Sequence, residues 1–493
     1  MHFLFNFSDD RFEKSTLLDL CINTLNKKET VIWIDCRDFK YSFNDSKYTY
    51  KLKKLFKMDN LDKILLDLLK EYPNNFTYTK VPRPKIRWKS KYIKNYFSEI
   101  AINNELITRT RDSDPNIIIK YLSQNSLKKL YTEIDYSIYH GYKNIIKKID
   151  TVYFFNGRFL REKSAIFAIK KISENIKILY VERFSPQWNV RYCIFKANVH
   201  SVIERTQLIN DFYKRGPSNK NKLGKKWFEE RIIGISQPYT KNQSEFFNKP
   251  THNAGFDVFF HSSEDELIIS NLRSNSWKNQ FELVTKLTKY YQVKGKLLYI
   301  RLHPNLKNKS LRERLKWKYF SYMLTNESVK FIPPRSKINS YDLIKNSENI
   351  LTFGSTIGVE AAYLKKRSFL LSNAFHEKLG ITISVNSFAK FKRLISKKPS
   401  KLLINKSYRN SLKYGYFMEE GGITITNLDK NESDVRQDPI FGLKGKTLGE
   451  NYLVNILKFL ELKITKFFLS LLDLISILIF KKSLNEEGRV NLR

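Results

Sequence analysis

A chain of 493 residues is longer than one hydrophobic core usually serves, so two or more domains are expected. Its hydrophobic fraction of 42% and aromatic fraction of 14% exclude a disordered chain, and three scattered cysteines (Cys21, Cys36, Cys193) exclude a disulfide framework or a CxxC zinc site. The charge is extreme, 88 Lys+Arg against 49 Asp+Glu for a formal +39, which leaves a lysine-coated surface, an anionic membrane or a nucleic acid as readings. The basic residues are spread along the whole chain, which disfavours nucleic acid.

The N-terminus has no basic run before its apolar residues and reads as a first strand, His2–Phe7, rather than a signal peptide. A helical spacing over Ser15–Asn26 follows. Thr30–Asp35 is a buried strand that leaves Asp35 at its carboxyl end, where open α/β sheets place ligands. Tyr48–Tyr72 carries apolar residues at helical spacing, Val81-Pro82-Arg83-Pro84 breaks it, and 85–147 is mostly helical and basic. Asp150–Phe155, Arg161–Glu174 and Ile176–Val181 read as strand, helix and strand, the length of a right-handed parallel crossover. That unit brings Asn156, Arg158, Glu182 and Arg183 to one sheet edge, either as a site or as a structural Arg158–Glu182 pair.

The polar stretch from Thr206, ending in Arg-Gly-Pro-Ser-Asn-Lys-Asn-Lys-Leu-Gly, is the linker candidate. Beyond it, strands are predicted at Asp257–His261, Lys296–Leu302, Val329–Ile332, Asn349–Phe353 and Arg367–Leu371. Helices at Lys278–Tyr291, Ser310–Asn326, Ser340–Asn346 and from Val359 separate them, a second doubly wound sheet. The predicted organisation is therefore an N-terminal α/β domain (1–205), a linker (206–230), a C-terminal α/β domain (231–430), and a loop with an amphipathic helical tail (431–493). Within the tail, Phe467–Phe480 is almost continuously apolar between lysine pairs. It is shorter than the roughly 20 residues of a spanning helix. Segment 452–482 thus reads either as a helix in an anionic membrane interface or as a docked terminal helix.

Three strand ends of the second block carry polar turns: Ser262-Ser263-Glu264, Arg301-Leu302-His303-Pro304 and Gly354-Ser355-Thr356. Hydroxyls, a guanidinium, an imidazole and a helix start with free N–H groups together describe a diphosphate or nucleotide site. Glu360, one turn into that helix, is placed to accept from a sugar or ribose hydroxyl, or to pair locally. No P-loop, dinucleotide fingerprint, metal-ligand cluster or nucleophile elbow is present, which excludes ATPase, dinucleotide oxidoreductase and serine-hydrolase readings.

Arg301-Leu302-His303-Pro304-Asn305 followed by Gly354-Ser355-Thr356-Ile357-Gly358-Val359-Glu360-Ala361 resembles the paired HP and ST-x-G-x-E signatures of bacterial capsule and surface polysaccharide biosynthesis proteins, which group with GT-B-type glycosyltransferases. Phe155-Asn156-Gly157-Arg158-Phe159, Val181-Glu182-Arg183 and Ser262–Glu266 also look like segments of that family, over about 150–385. The resemblance implies two Rossmann-like domains facing a cleft and metal-independent transfer from a nucleotide-sugar donor to a glycan or lipid-linked acceptor, with no further cofactor. It implies that His303, Ser355 and Thr356 bind the donor phosphates and that Glu360 holds a hydroxyl. Ser262, Ser263, Arg301, Asn156 and Arg158 complete the expected binding set. The catalytic base is expected from the N-terminal domain, with Glu182 the first candidate and Asp35 the second, from strand-end position alone. A cytoplasmic protein, peripheral on the inner face of the membrane through its tail, is the expected setting. Alternatives are transfer of another phosphate-linked group, a nucleotide-sugar epimerase of the same fold, and a non-catalytic membrane-associated assembly component.

Overall fold

The computed structural model describes residues 1–7, 11–39, 60–81, 84, 96–115, 117–184, 191–234, 243, 245, 247, 255–272, 274 and 276–427. The part of the predicted helix within 48–59, Pro82 and Arg83 of the Val81–Pro84 break and the whole 431–493 tail, with the segment 452–482 expected at a membrane, lie outside them.

Two sheets organise the chain. The first contains β1 (His2–Asn6), β2 (Val31–Asp35), β3 (Phe76–Lys80), β4 (Thr151–Phe155), β5 (Lys177–Phe184) and β6 (Arg191–Phe195). The second contains β7 (Phe256–Phe260), β8 (Leu297–Arg301), β9 (Val329–Ile332), β10 (Asn349–Thr352), β11 (Arg367–Leu370) and β12 (Ile383–Ser384). A last short strand, β13 (Ile423–Thr424), joins the first sheet.

The second sheet runs β12-β11-β10-β7-β8-β9 and every pairing in it is parallel. The first runs β13-β6-β5-β4-β1-β2-β3, parallel from β3 to β5 and antiparallel beyond. In both, the strand order reverses beside the first strand of the unit, between β1 and β4 and between β7 and β10. Those are the points where doubly wound sheets open a crevice at their carboxyl ends. The apolar runs that make these strands are buried on both faces, as helix-covered parallel sheets require: Phe3, Leu4 and Phe5 in β1, and Ile350 and Leu351 in β10, are fully buried. Two Rossmann-like domains facing a cleft are what these sheets form.

The candidate linker 206–230 is mostly helical, in Val202–Arg215 and Lys220–Ile232, with Gly216-Pro217 at the turn between them. The second of these packs on the long helix Lys401–Glu420 at Gly224 and Gly415. A Cβ on Gly224 would meet the carbonyl of Leu412, and one on Gly415 the carbonyl of Gly224, so the two backbones touch. After that long helix the chain returns to the first domain. Ile423 pairs with Tyr192, and Asp19 accepts from the N–H groups of Thr426 and Asn427 at 3.1 and 3.0 Å. Residues 423–427 thus join the first domain, Ile423–Thr424 in its sheet and Thr426–Asn427 on its first helix, although they fall within the 231–430 range expected for the C-terminal domain.

Candidate active site

The carboxyl edge of the second sheet carries the three expected turns on adjacent strands β8, β7 and β10, roughly 5 Å apart in sequence of neighbours. After β7, the backbone of Ser262 is gripped at both ends by one side chain: Gln280 Oε1 accepts from its N–H and Gln280 Nε2 donates to its carbonyl, each at 2.9 Å. The Ser262 hydroxyl and the Nε2 of buried His261 have no hydrogen-bond partner among the described residues. Buried polar atoms are rarely left so, unless a ligand or water completes them.

Next to them, the His303 N–H donates to His261 Nδ1 (3.3 Å), and His303 Nδ1 accepts from the Asn305 N–H (3.0 Å) as the cap of the 3-10 turn Pro304–Asn308. Burial, reinforced by the charge of Lys309, pushes the His303 pKa down to about 4. The ring is therefore neutral at pH 7. Since Nδ1 accepts, the proton sits on Nε2, which is a hydrogen-bond donor to an oxyanion without being a cation.

After β10, Gly354 takes φ +94°, and a side chain there would crowd the Asn373 carbonyl and Leu267. Ser355 and Thr356 are half-buried at the edge, and Thr356 makes no capping hydrogen bond. The expectation of a helix start full of free N–H groups is corrected: Ile357 N–H is taken by Ser355 Oγ (3.3 Å), Gly358 N–H by the Ser355 carbonyl (3.2 Å) and Val359 N–H by the Thr356 carbonyl (2.9 Å). The helix is also short, Ile357–Tyr363, so the seat consists mainly of hydroxyls.

Two expected ligands are turned to other work. Arg301 is buried and donates to the carbonyls of Pro333 (3.2 Å) and Ser336 (3.0 Å), and burial lowers its pKa to about 10. It pins the loop after β9 and does not line the edge with His303. Glu360 is buried with both oxygens engaged, Oε1 by the Arg231 guanidinium (2.8 Å) and Oε2 by Tyr341 OH (2.6 Å). It clamps the Lys220–Ile232 helix to the second domain, the local pairing left open above.

On the first domain, Asn156 and Gly157 turn the chain after β4 through positive φ (63° and 77°). The Asn156 amide donates to Glu182, which lies inside β5 and not past its end, because β5 continues to Phe184. Burial raises the Glu182 pKa, opposed by Arg158, Arg205 and the Asn156 hydrogen bond. Asp35 differs. Burial pushes its carboxyl up, but Arg37, bonded at 2.9 and 2.7 Å, and Tyr78 OH, at 2.6 Å, outweigh it and hold the pKa below the ordinary value. Asp35 also stands three strands from β5, about 14 Å. The structure therefore does not bring the two base candidates together, and Asp35 has the chemistry of an ion-paired anchor.

The domains meet across this edge. Ser310 Oγ donates to Asp112 (2.8 Å), Ser113 Oγ donates to Glu313 (3.1 Å), and Arg312 reaches Asp114 (3.4 Å). A crevice between them is lined by Arg111 and Ser113 on one side and by His261, Ser263, Lys309 and Glu313 on the other. Lys309, itself buried, is held by both oxygens of Asp265 (2.7 and 2.6 Å). The sequence reading passed over His261, Gln280, Lys309 and the Asp112–Asp114 loop. A strand-end histidine or a glutamine at a helix start carries no periodic signal, and partners some 200 residues apart meet only after folding. Among the described residues no group of His, Cys, Asp or Glu could hold a metal ion.

Solved structures resemble the chain only distantly. They include the beta Kdo 2,4 transferase of KpsC from Thermosulfurimonas dismutans (14% identity, 53% of this chain and 79% of that one, TM-score 0.32). The beta Kdo 2,7 transferase of the same protein has 12% identity over 58% and 86%, with a TM-score of 0.35. The Methanocaldococcus jannaschii UDP-GlcNAc 2-epimerase, solved with UDP-GlcNAc and UDP, has 13% identity over 83% and 96%, with a TM-score of 0.30. No family model and no curated protein matches the chain. The fold is GT-B-like. Its two sheets reverse strand order at β1/β4 and at β7/β10 and open a cleft between them. Among the described residues no helix is long and apolar enough to cross a membrane.

Proposed function

We propose that the chain is a glycosyltransferase of capsular or other surface polysaccharide biosynthesis, moving a sugar from a nucleotide-sugar to a glycan or lipid-linked acceptor. What supports this reading is that the turns bearing Ser262, neutral His303 and the Ser355–Thr356 hydroxyls end three neighbouring parallel strands, β7, β8 and β10, at one sheet edge, while the other domain carries a buried carboxylate, Glu182, at the end of its parallel strands. Glu182, its pKa raised by burial, takes the proton of an acceptor hydroxyl as that oxygen attacks the anomeric carbon. The bond from that carbon to the donor diphosphate breaks, and the diphosphate leaves with the electron pair. His303 Nε2–H and the edge hydroxyls then donate to its developing charge from fixed positions.

The test is a panel of nucleotide-sugars read by released nucleotide. Turnover with one donor, abolished in His303→Ala, is expected, and nucleotide binding that survives His303→Ala unchanged would refute the donor site. A nucleotide-sugar epimerase is the second reading, favoured by the same edge and by the hydrogen bonds of Ser310 and Ser113 that latch the two domains together, since it needs no acceptor to enter between them. It predicts an epimerised nucleotide-sugar, visible by NMR, with no acceptor added.

A further inference from the structure

The first domain carries a cluster at the cleft of which sugar transfer uses only the carboxylate. Arg158 follows β4, His200 precedes the Val202–Arg215 helix, and Arg205 lies one turn inside it. Arg158 Nη1 is 2.9 Å from His200 Nε2. A guanidinium has only donors, so His200 Nε2 accepts and the ring is neutral, with its proton on Nδ1. Burial and the two guanidinium charges drive its pKa to about 2, which fits. The Arg205 guanidinium lies 4.5 Å from the ring centre of Phe375 and 5.1 Å from that of Phe195, with Nε tied to the Val199 carbonyl (2.6 Å). Phe375 comes from the second domain and stacks on His200, ring centres 5.1 Å apart. The cluster is thus walled by both domains.

Neither guanidinium makes an ion pair with a carboxylate among the described residues. Glu182 makes its hydrogen bond to Asn156, and Glu162, buried beside Arg161, is a second carboxylate within electrostatic reach of Arg158. Glu266, on the opposite wall, is within electrostatic reach of Arg158 but lies beside Lys309 at 3.9 Å. Three polar atoms here are buried with no partner among the described residues: Arg158 Nε, His200 Nδ1 and Asn156 Oδ1. Two of these are N–H donors. Partly buried cations with spare donors are costly unless an anion completes them.

We propose that Arg158, His200 and Arg205 bind the carboxylate of an acidic acceptor sugar, placing one of its hydroxyls at Glu182. The inference rests on the first domain being the acceptor side. A planar carboxylate matches a guanidinium fork. A phosphate monoester, at −1.5 to −2, would bring surplus charge beside Glu182. The formal +39 of the chain also draws in a polyanionic glycan.

The experiment measures binding of methyl glucuronide, neutral methyl glucoside and glucose 6-phosphate to the full chain by ligand-detected NMR. UDP binding is read on the same samples, so that failure of the donor site shows separately. Expected are glucuronide binding at least about tenfold tighter than glucoside or phosphate ester, and a loss of about tenfold or more in Arg158→Gln and in Arg205→Gln with UDP binding retained. If Arg205→Gln fails to fold, Arg158→Gln, at a half-buried position, decides alone. Undetectable glucuronide binding, equal binding of the glucoside, tighter binding of the phosphate ester, or affinity indifferent to Arg158→Gln overturns the proposal.

Discussion

Glu313 should make the stability of the closed molecule fall as pH rises through neutrality. Its side chain sits in the second domain under a roof from the first, where Ser113 donates to it at 3.1 Å and Asp112 lies close by. Only 5% of the residue is exposed. Burial, then the charge of Asp112, with Glu264 adding, lifts its pKa from 4.5 to about 7 against the pull of Lys316 and the Ser113 hydrogen bond. The folded pKa exceeds the unfolded one, so between about 4.5 and 7 the native state binds more protons than the unfolded state. Stability therefore drops with rising pH across that window and levels off above it. At about 1.4 kcal/mol per pKa unit, the ionised carboxylate costs on the order of 3 kcal/mol. Chemical denaturation of the native protein and of Glu313→Gln from pH 4.5 to 8 measures this directly. The variant keeps the shape and an acceptor for Ser113 but cannot ionise, and other titrating groups cancel in the difference. The two curves should converge near pH 4.5 and separate by roughly that amount above 7. Parallel curves would refute the reasoning, because the charge would then be as well solvated in the latch as in the unfolded chain.

Substitutions at Glu360, Gly224 and Gly415 test what holds the sites in place. Glu360→Ala removes the buried carboxylate that Arg231 and Tyr341 share and should cost about 3–5 kcal/mol in denaturation, whereas Glu360→Gln should lower the melting temperature and leave the nucleotide affinity of the folded protein unchanged; lost affinity at an unchanged melting temperature would restore Glu360 to the donor site. Gly224→Ala and Gly415→Ala each push a methyl into the facing helix backbone and should destabilise by about 1–3 kcal/mol, and a neutral effect in both would mean that the two helices part easily.

The sheets were legible because parallel strands buried on both faces write themselves as short apolar runs between polar turns. Val329–Ile332 and Ser340–Asn346 have the predicted bounds, and most other strands of the second domain differ by a residue or two. What was missed has the opposite character. β3, Phe-Thr-Tyr-Thr-Lys, is an edge strand with mixed burial, and β6 and β13 are antiparallel additions whose pairing joins Tyr192 to Ile423 across the whole chain. No local pattern announces such a partner. The long helix Lys401–Glu420 is masked by lysine and asparagine, since its buried face is built on Tyr414, Gly415 and Phe417 closing on Gly224.

The site divides along the same line. Positions were readable, because a residue just past a buried strand must lie at the carboxyl edge, and Ser262, His303, Ser355 and Asn156 do. Directions were not. Arg301 and His303 are two residues apart, yet one guanidinium is spent on the carbonyls of Pro333 and Ser336 while the neighbouring imidazole keeps a protonated Nε2. Glu182 and Asp35 both reach the carboxyl edge of one sheet, yet Asp35 is fixed by Arg37 and Tyr78 while Glu182 stands near two arginines without ion-pairing to either. In the carboxylate pair the difference is the counter-charge, which Asp35 has in Arg37 and Glu182 lacks among the described residues. An ion-paired carboxylate has its charge stabilised and little tendency to take a proton, whereas a buried one with only an amide partner keeps that tendency. A strand-end carboxylate or guanidinium is therefore a site candidate only after its own loop has been searched for the counter-charge that would consume it.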